Sequence, residues 1–454
     1  MLRRMWIYQP RHVATQAPRY TSYPTAAEFT DAVGAADQAQ AIAAIAPDAR
    51  LSLYLHVPYC ETICWYCGCN TGAANRPDRL DAYADALHAE IAIVAGRLDG
   101  RGSVESIHFG GGSPNVLPAP ALAAVIAALR RRFPTEPDVD IAVEIDPRSL
   151  DAAYIDGLAA AGVTRVSLGV QTFSPRVQAK INRVQPFEMV AAAVAQLRAA
   201  GIGAINFDLM YGLPGQMAAD VVDTIDRAAA LAPDRLAVFG YAHMPAMLPR
   251  QRMIADADLP GPVARFAQAR VANQRLVELG YVAIGFDHFA RPDDPLARAA
   301  RDGQLRRNFQ GFTADPADVL IGLGASAISD FGHLIVQNEK QAGAYRDAVL
   351  AGRLAGVRGV PRTAQDRLRG ELIEALLCQG EVDVAALCRR HGQPDAALDA
   401  EIAALQPLIV DGVATVDGRR VAVPPTALPF SRLVARTFDA YRGGGPGARF
   451  SRAV

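Results

Sequence analysis

Six apolar, β-rich runs, at 51–57, 104–109, 141–145, 165–170, 205–211 and 236–241, set the pattern of this chain. Amphipathic stretches such as 80–98, 119–133 and 187–200, with apolar residues at helical spacing, lie between them. Alternation of this kind is the mark of βα units building a parallel sheet. Each run ends in a turn-forming or polar cluster: His-Val-Pro, Gly-Gly-Gly-Ser-Pro, Asp-Pro-Arg, Gly-Val-Gln-Thr-Phe, Gly-Leu-Pro-Gly-Gln and Ala-His-Met-Pro. Six units predict an α/β fold, an incomplete (β/α)6 barrel of the TIM type. In such folds the catalytic groups gather at the carboxyl ends of the strands. The unusual residues of this chain fall there.

The rest of the 454 residues frames that barrel, which we place at 36–290. An arm at 1–35 carries Pro18-Arg-Tyr-Thr-Ser-Tyr-Pro-Thr25, whose prolines favour extended backbone. A flanking segment at 291–360 follows, and runs at 281–286 and 319–323 are expected to add strands beside the barrel. A helical domain is expected at 361–454, with helices at 363–377, 384–390 and 396–408. Its hairpin at 412–423 is centred on Asp417-Gly418. Three helices and a wing resemble a winged-helix domain, read here as packing or lid, since fold alone does not imply DNA binding. Gly443-Gly-Gly-Pro446 reads as a short flexible break. A formal net charge of −1 gives no field to hold nucleic acid or an anionic membrane. The basic first residues have no apolar core of a secretory signal, and the Ala-rich runs break short of the ~18 residues a membrane span needs. The expectation is a cytoplasmic monomer without nucleic-acid partners.

Of six cysteines, four fall within ten residues, in Cys60-Glu-Thr-Ile-Cys64-Trp-Tyr-Cys67-Gly-Cys69. Disulfides between such close neighbours are strained, so the cluster reads as a metal site. Cys378 and Cys388 lie in apolar helical patterns and read as inert core residues. Three thiolates from one loop, on a cluster of four irons, leave one iron open, as a catalytic metal requires. The C-x3-C-x2-C spacing resembles the radical S-adenosylmethionine (SAM) superfamily, where SAM chelates the open iron of a [4Fe–4S] cluster. Cys60, Cys64 and Cys67 are then the ligands. A structural zinc site is the alternative, and Cys69 is a possible fourth ligand that would close the cluster.

Further groups stand at strand ends. His108-Phe-Gly-Gly-Gly-Ser-Pro114 follows the second run, and glycines there let a ligand approach the backbone. After a cluster loop it resembles the superfamily's site for the SAM amino group. Glu144 is a carboxylate in an apolar strand, costly unless paired with a ribose hydroxyl, the SAM ammonium or a protein cation. Gln171, Arg183 and Asp208 sit at or near strand ends and jointly describe a polar pocket.

Together these motifs resemble the oxygen-independent coproporphyrinogen III oxidases (coproporphyrinogen dehydrogenases) of heme biosynthesis. The resemblance rests on Pro18-Arg-Tyr-Thr-Ser-Tyr-Pro-Thr25, Tyr54 in Leu-Tyr-Leu-His-Val-Pro, the cysteine run ending Cys-Gly-Cys-Asn70, and the Gly-Gly-Gly turn. Gly169-Val-Gln-Thr, Asn206-Phe-Asp-Leu-Met-Tyr-Gly-Leu-Pro, Phe286-Asp-His-Phe-Ala-Arg-Pro-Asp-Asp294, Arg307-Asn-Phe-Gln-Gly-Phe312 and Gly324-Ala-Ser-Ala-Ile-Ser329 extend it. The resemblance implies that the ring A and B propionates of coproporphyrinogen III are oxidatively decarboxylated to vinyl groups, giving protoporphyrinogen IX. A 5′-deoxyadenosyl radical from SAM starts each decarboxylation at the propionate β-carbon. Two bound SAM molecules are implied, with Tyr54, Gly111, Glu144 and Ile328 around the first. Tyr66, Gly112, Ser113, Gln171, Arg183, Asp208 and Ala242 surround the second. It also implies a part in activity for Cys69 without cluster ligation, and a reductase or flavodoxin-like electron donor as partner. Tyr20 and Tyr23 are candidates for a lid that excludes water. Arg19, Arg252, Arg291 and Arg307 are candidates for holding the four substrate carboxylates. A radical-SAM-like heme chaperone is the alternative; such relatives lack the cysteine at the Cys69 position and the Pro-Arg-Tyr arm.

Overall fold

In a computed structural model, residues 5–74, 76–442 and 450–452 are described. The break at Gly443-Gly-Gly-Pro446 lies outside the described residues. The six expected strands are present: β1 (Arg50–Val57), β2 (Ser103–Gly111), β3 (Thr135–Ile145), β4 (Arg165–Gln171), β5 (Ala204–Tyr211) and β6 (Arg235–Gly240). They run parallel in chain order. Alternation along them explains both faces of the sheet. Leu51, Leu53 and Leu55, then Ile107 and Phe109, Ile141 and Val143, Val166 and Leu168, and Ile205 and Phe207 enter the main core. The intervening positions are polar: Ser52, Tyr54 and His56 on β1, Ser106 and His108 on β2, Glu144 on β3, Ser167 on β4, Asn206 and Asp208 on β5. A cavity of about 430 Å³ lined by His108, Glu144, Ser167, Asn206 and Asp208 occupies this second face.

The sheet has twelve strands and is mixed. β7 (Val282–Ile284) and β8 (His288–Ala290) extend it antiparallel beyond β6, and β9 (Val319–Leu323) pairs parallel with β1. β10 (Ile328–Asp330), β11 (Leu334–Asn338) and β12 (Gly356–Pro361) continue from β9 as an antiparallel meander. Both runs expected to flank the barrel thus join its sheet, at opposite ends of the β1–β6 block.

At the carboxyl-terminal end, helix Ala364–Cys378 starts at a reciprocal cap: Asp366 N–H donates to Thr363 Oγ1 at 3.1 Å, and Thr363 N–H to Asp366 Oδ2 at 2.9 Å. The hairpin of β14 (Thr415–Asp417) and β15 (Arg420–Ala422) forms as expected, and β13 (Glu381–Asp383) joins it as a third strand. The single helix expected over 396–408 is instead two short ones, Asp399–Ala403 and Gln406–Val410. Pro407 has no N–H to carry the first into the second. Trp6, Tyr20 and Tyr23 of the arm share a second core with Leu368, Leu372, Phe430 and Phe438. Cys388 is buried in that core and Cys378 packs against it. Among the described residues no helix is long and apolar enough to cross a membrane.

Candidate active site

The cysteine loop is tied at both ends and in its middle. Tyr59–Cys60 pairs with Gly72–Ala73, so the chain leaves β1, makes its loop and returns beside its own start. Asn182 Nδ2 donates to Ile63 O at 2.9 Å, Trp65 N–H to Ile181 O at 3.1 Å, and Arg250 Nη2 to Thr71 O at 2.8 Å. Gln251 Nε2 bridges Tyr66 O (2.8 Å) and Ala242 O (3.1 Å), joining two residues that are far apart in the chain.

The sulfurs have hydrogen-bond partners. Arg183 Nη1 donates to Cys64 Sγ at 3.4 Å and Arg148 Nη2 at 3.5 Å, while Cys69 N–H donates to Cys67 Sγ at 3.4 Å. Cys60 Sγ lies 3.2 Å from Thr71 Oγ1. A hydrogen bond from the Cys69 side chain, acting against burial, brings Cys67 down to about 6, with Arg250 and Arg183 helping. The same contact holds Cys69 well above its ordinary value. Burial pushes Cys60 up to about 11. Three thiols in one loop, with N–H groups aimed at two sulfurs, are the donor chemistry a [4Fe–4S] cluster needs. Among the described residues no three His, Cys, Asp or Glu side chains close on a single metal ion.

The glycine turn and the cysteine loop are one unit. Gly112 N–H donates to Val57 O and Ser113 N–H to Tyr59 O, both at 2.8 Å. A Cβ on Gly112 would stand 2.4 Å from Tyr59 O, and one on Gly111 (φ 111°) 2.5 Å from the His56 ring. A Cβ on Gly110 would stand 2.6 Å from Glu144 Oε1. Ligand access is therefore not the only demand for glycine here, because neighbouring protein atoms already press on all three.

Glu144 accepts from Gly111 N–H at 3.3 Å and lies 3.1 Å from His108 Nε2. Burial alone would raise its carboxyl, but His108 and the amide outweigh it and hold Glu144 below its ordinary value. His108 stacks on Tyr54, its register partner, at 5.9 Å. His56 Nε2 faces Asn70 O at 3.1 Å, and a carbonyl only accepts, so that nitrogen carries the proton. His56 Nδ1 then accepts from Tyr54 Oη at 3.1 Å, and burial lowers the pKa of the imidazole. Gly322 pairs with Tyr54 in register, and a Cβ there would meet Ile328 O at 2.5 Å. Glu144 thus joins Gly111 directly and Tyr54 through His108, while Ile328 lies on the far side of Gly322 from Tyr54.

Around the other candidates, Asp146 binds both Arg148 (2.6 Å) and Arg183 (3.2 Å). Arg183 Nη2 also donates to Gly169 O at 2.5 Å. Gln171 adopts φ 64° where the β4–β5 register shifts, an uncommon conformation for a residue other than glycine. Ser113 Oγ donates to Asn115 Oδ1 at 2.8 Å, and Asn115 Nδ2 donates to Asp146 O at 3.1 Å. Asp208 accepts from Asn206 Nδ2 (3.0 Å) and Ser167 Oγ (3.2 Å); burial, then the charge of Glu144, raise it to about 6.

Other candidates stand elsewhere. Tyr20 Oη donates to Asp439 Oδ2 at 2.9 Å and Tyr23 Oη accepts from Ala440 N–H at 2.8 Å, so both hydroxyls face the carboxyl-terminal segment. Arg19 Nη2 donates to Gly240 O at 3.3 Å, at the carboxyl end of β6. Arg307 donates to Arg19 O through Nε (3.2 Å) and Nη2 (3.1 Å). Arg252 is exposed and donates to Pro245 O at 3.4 Å. Arg291 N–H donates to Asp234 O at 2.9 Å, at the amino end of β6 and away from the cysteine loop. Sequence reasoning assigned no role to His56, His108, Asp146, Arg148 or Gln251. The alternation of β1 to β3 carried a signal for the first three; Gln251 has none in sequence.

A family model described as the radical SAM superfamily matches residues 54–228. Over 438 residues the chain is 48% identical to an oxygen-independent coproporphyrinogen III oxidase of Bradyrhizobium diazoefficiens, covering 96% of this chain and 97% of that one. Over 425 residues it is 40% identical to the Escherichia coli protein of the same name, covering 93% of each. A solved structure of coproporphyrinogen III oxidase from Escherichia coli, described as a radical SAM enzyme, superposes with a TM-score of 0.89 at 38% identity. That match covers 93% of this chain and 97% of the other.

Proposed function

This chain belongs to the oxygen-independent coproporphyrinogen III oxidases of the radical SAM superfamily, and from that premise we propose how its residues divide the work. The protein is an oxidoreductase that decarboxylates propionates of coproporphyrinogen III oxidatively in heme biosynthesis. Its cofactors are a [4Fe–4S] cluster and SAM. When bound, they supply a 5′-deoxyadenosyl radical able to remove a hydrogen from a propionate β-carbon. The heme-chaperone alternative is not favoured, since the curated relatives are named oxidases.

In this reading Cys60, Cys64 and Cys67 ligate the cluster. The observation that carries it is the joining of the glycine turn to the cysteine loop by Gly112 N–H to Val57 O and Ser113 N–H to Tyr59 O. SAM held there would find in the Glu144 carboxylate a partner for its amino group, beside the cluster that Cys60, Cys64 and Cys67 would hold. Tyr54, Gly111, Glu144 and Ile328 hold this first SAM. Tyr66, Gly112, Ser113, Gln171, Arg183, Asp208 and Ala242 offer a second SAM position, gathered by Gln251 and the Asp146–Arg183 pair. His56 and His108 orient Tyr54 and Glu144. Cys69, hydrogen-bonded to Cys67 and on the exposed side of the loop, stands where a proton or electron could be passed. Tyr20 and Tyr23 lock the arm over the barrel rim by binding the carboxyl-terminal segment.

The open-ended β1–β6 block is read as the incomplete (β/α)6 barrel, and the three-stranded sheet with its helices as a winged-helix-like packing domain. A cytoplasmic monomer served by a reductase or flavodoxin-like donor completes the proposal. Anaerobic turnover of the reconstituted protein with coproporphyrinogen III, SAM and a reductant tests it. Release of CO₂ and formation of the divinyl product are expected; SAM cleavage with neither would refute the assignment.

A further inference from the structure

The cysteine loop is gripped from outside by one short segment, the helical turn Pro249–Met253 together with the residue before it. Pro249 opens the turn, its fixed φ suiting the first helical position. Leu248 Cδ1 reaches to 3.5 Å from the place a Cβ on Gly68 would take. Gln251, only 1% exposed, donates to Tyr66 O and accepts from Met244 N–H at 2.6 Å. Between these two, Arg250 Nη2 donates to Thr71 O at 2.8 Å. Thr71 Oγ1 lies 3.2 Å from Cys60 Sγ, so the residue that holds this guanidinium also touches a proposed cluster ligand.

One atom of the arrangement is left over. Arg250 Nη1 is buried and has no hydrogen-bond partner. Among the described residues Thr71 O is the one acceptor its guanidinium finds, and no carboxylate pairs with it. A charged N–H left buried and unpaired is costly, so the position calls for an anion. With Nη2 tied to Thr71 O, the planar guanidinium presents Nη1 in a fixed direction. Its charge already acts on Cys67.

The other arginines at the sulfurs differ from this one. Arg148 and Arg183 both bind Asp146, at 2.6 and 3.2 Å, and both donate to Cys64 Sγ. That carboxylate partly cancels their charge. Arg250 brings an uncancelled cation to the part of the loop that carries Cys67 and Thr71. A cluster held by three thiolates is anionic, and reduction adds a further negative charge. A cation and an N–H donor at one of its sulfurs therefore favour the reduced form.

We propose that Arg250 Nη1 donates a hydrogen bond to a sulfur on the Cys67 side of the [4Fe–4S] cluster and raises the potential at which the cluster accepts its electron. This rests on the reading that Cys60, Cys64 and Cys67 hold that cluster.

The test is an EPR-monitored redox titration of the full-length protein, reconstituted anaerobically and kept free of SAM. Arg250→Gln keeps an amide donor for Thr71 O but removes the charge and the fork. Its iron content should stay near that of the wild type. The ratio of reduced to oxidised cluster at a fixed potential should fall about tenfold, a shift of about 59 mV to more negative values. Arg250→Lys keeps the charge without the fork and should show a smaller shift in the same direction. An unchanged potential in Arg250→Gln at full iron content overturns the proposal, whether or not SAM binding weakens. Should Arg250→Gln assemble no cluster, Arg250→Lys decides, and a wild-type potential there overturns it. A wild-type protein that itself assembles no [4Fe–4S] cluster overturns the cluster reading beneath it.

Discussion

Arg183 donates to Cys64 Sγ from Nη1 at 3.4 Å and to Gly169 O from Nη2 at 2.5 Å, joining a proposed cluster ligand to the end of β4. Hydrogen bonds to a ligating sulfur stabilise its negative charge and raise the cluster's reduction potential. Arg183→Lys should keep the iron near the wild-type content but shift the potential to more negative values. The rate of SAM cleavage should fall about tenfold or more, the scale of a lost charge-assisted bond. An EPR-monitored redox titration checks the shift.

Gly112→Ala puts a methyl 2.4 Å from Tyr59 O and 2.8 Å from Thr71 Oγ1, both fixed by the paired ends of the cysteine loop. Crowding of this kind costs about 1–3 kcal/mol when the surroundings can shift. Here the shift would pull apart the glycine turn and the cysteine loop. The variant is expected to fold, to bind SAM at least tenfold more weakly by calorimetry, and to lose part of its iron.

Cys69→Ser tests the division of the cysteine run. Iron content should stay near normal while turnover falls, because Cys69 contacts Cys67 rather than a metal in this reading. Iron analysis after anaerobic reconstitution separates the outcomes. Loss of the cluster would make Cys69 a ligand.

Much of this site is legible in the sequence. Cys60, Cys64, Cys67 and the three glycines are adjacent in sequence, so spacing alone announces them. The strand ends were legible because apolar β-rich runs stop at Gly and Pro. What stayed hidden depends on partners far along the chain. Gln251 matters because it reaches both Tyr66 and Ala242, and Asp146 because Arg183 arrives from 37 residues away. His56 and His108 could have been found, since each shares a strand face with Tyr54 or lies across from it. The run at 396–408 misled because its apolar spacing persists through Pro407, where backbone hydrogen bonding cannot.

Glu90 gives a pH signature away from the cluster. It is fully buried on helix Pro77–Leu98 and accepts from Gly324 N–H (2.6 Å), Asn338 Nδ2 (2.8 Å) and Tyr345 Oη (2.7 Å). Burial raises its pKa to about 7 in spite of these donors. The folded protein therefore binds the proton more tightly than the unfolded chain does. Its favourable contribution is complete below about pH 4.5 and is lost as pH rises through 7. The loss from this group approaches about 3 kcal/mol, from 1.36 kcal/mol per pKa unit. Denaturant titrations of wild type and Glu90→Gln should show the slope between pH 5 and 8 flattened in the variant; equal slopes would remove Glu90 as its source.

Tyr20→Phe removes the hydroxyl that donates to Asp439 Oδ2 at 2.9 Å and should cost about 1–3 kcal/mol of stability. If the tyrosine acts as an anchor for the arm, Tm falls while SAM cleavage without substrate is unchanged. An unchanged Tm would count against that anchoring role.

The most direct measurement follows hydrogen from substrate to cofactor. Coproporphyrinogen III deuterated at the propionate β-carbons is incubated anaerobically with reconstituted protein, SAM and a reductant, and 5′-deoxyadenosine is analysed by mass spectrometry. Deuterium in the 5′-deoxyadenosine, appearing together with CO₂ and vinyl product, is the predicted result. Vinyl product accompanied by unlabelled 5′-deoxyadenosine, or labelled substrate returned intact while SAM is cleaved, would contradict it.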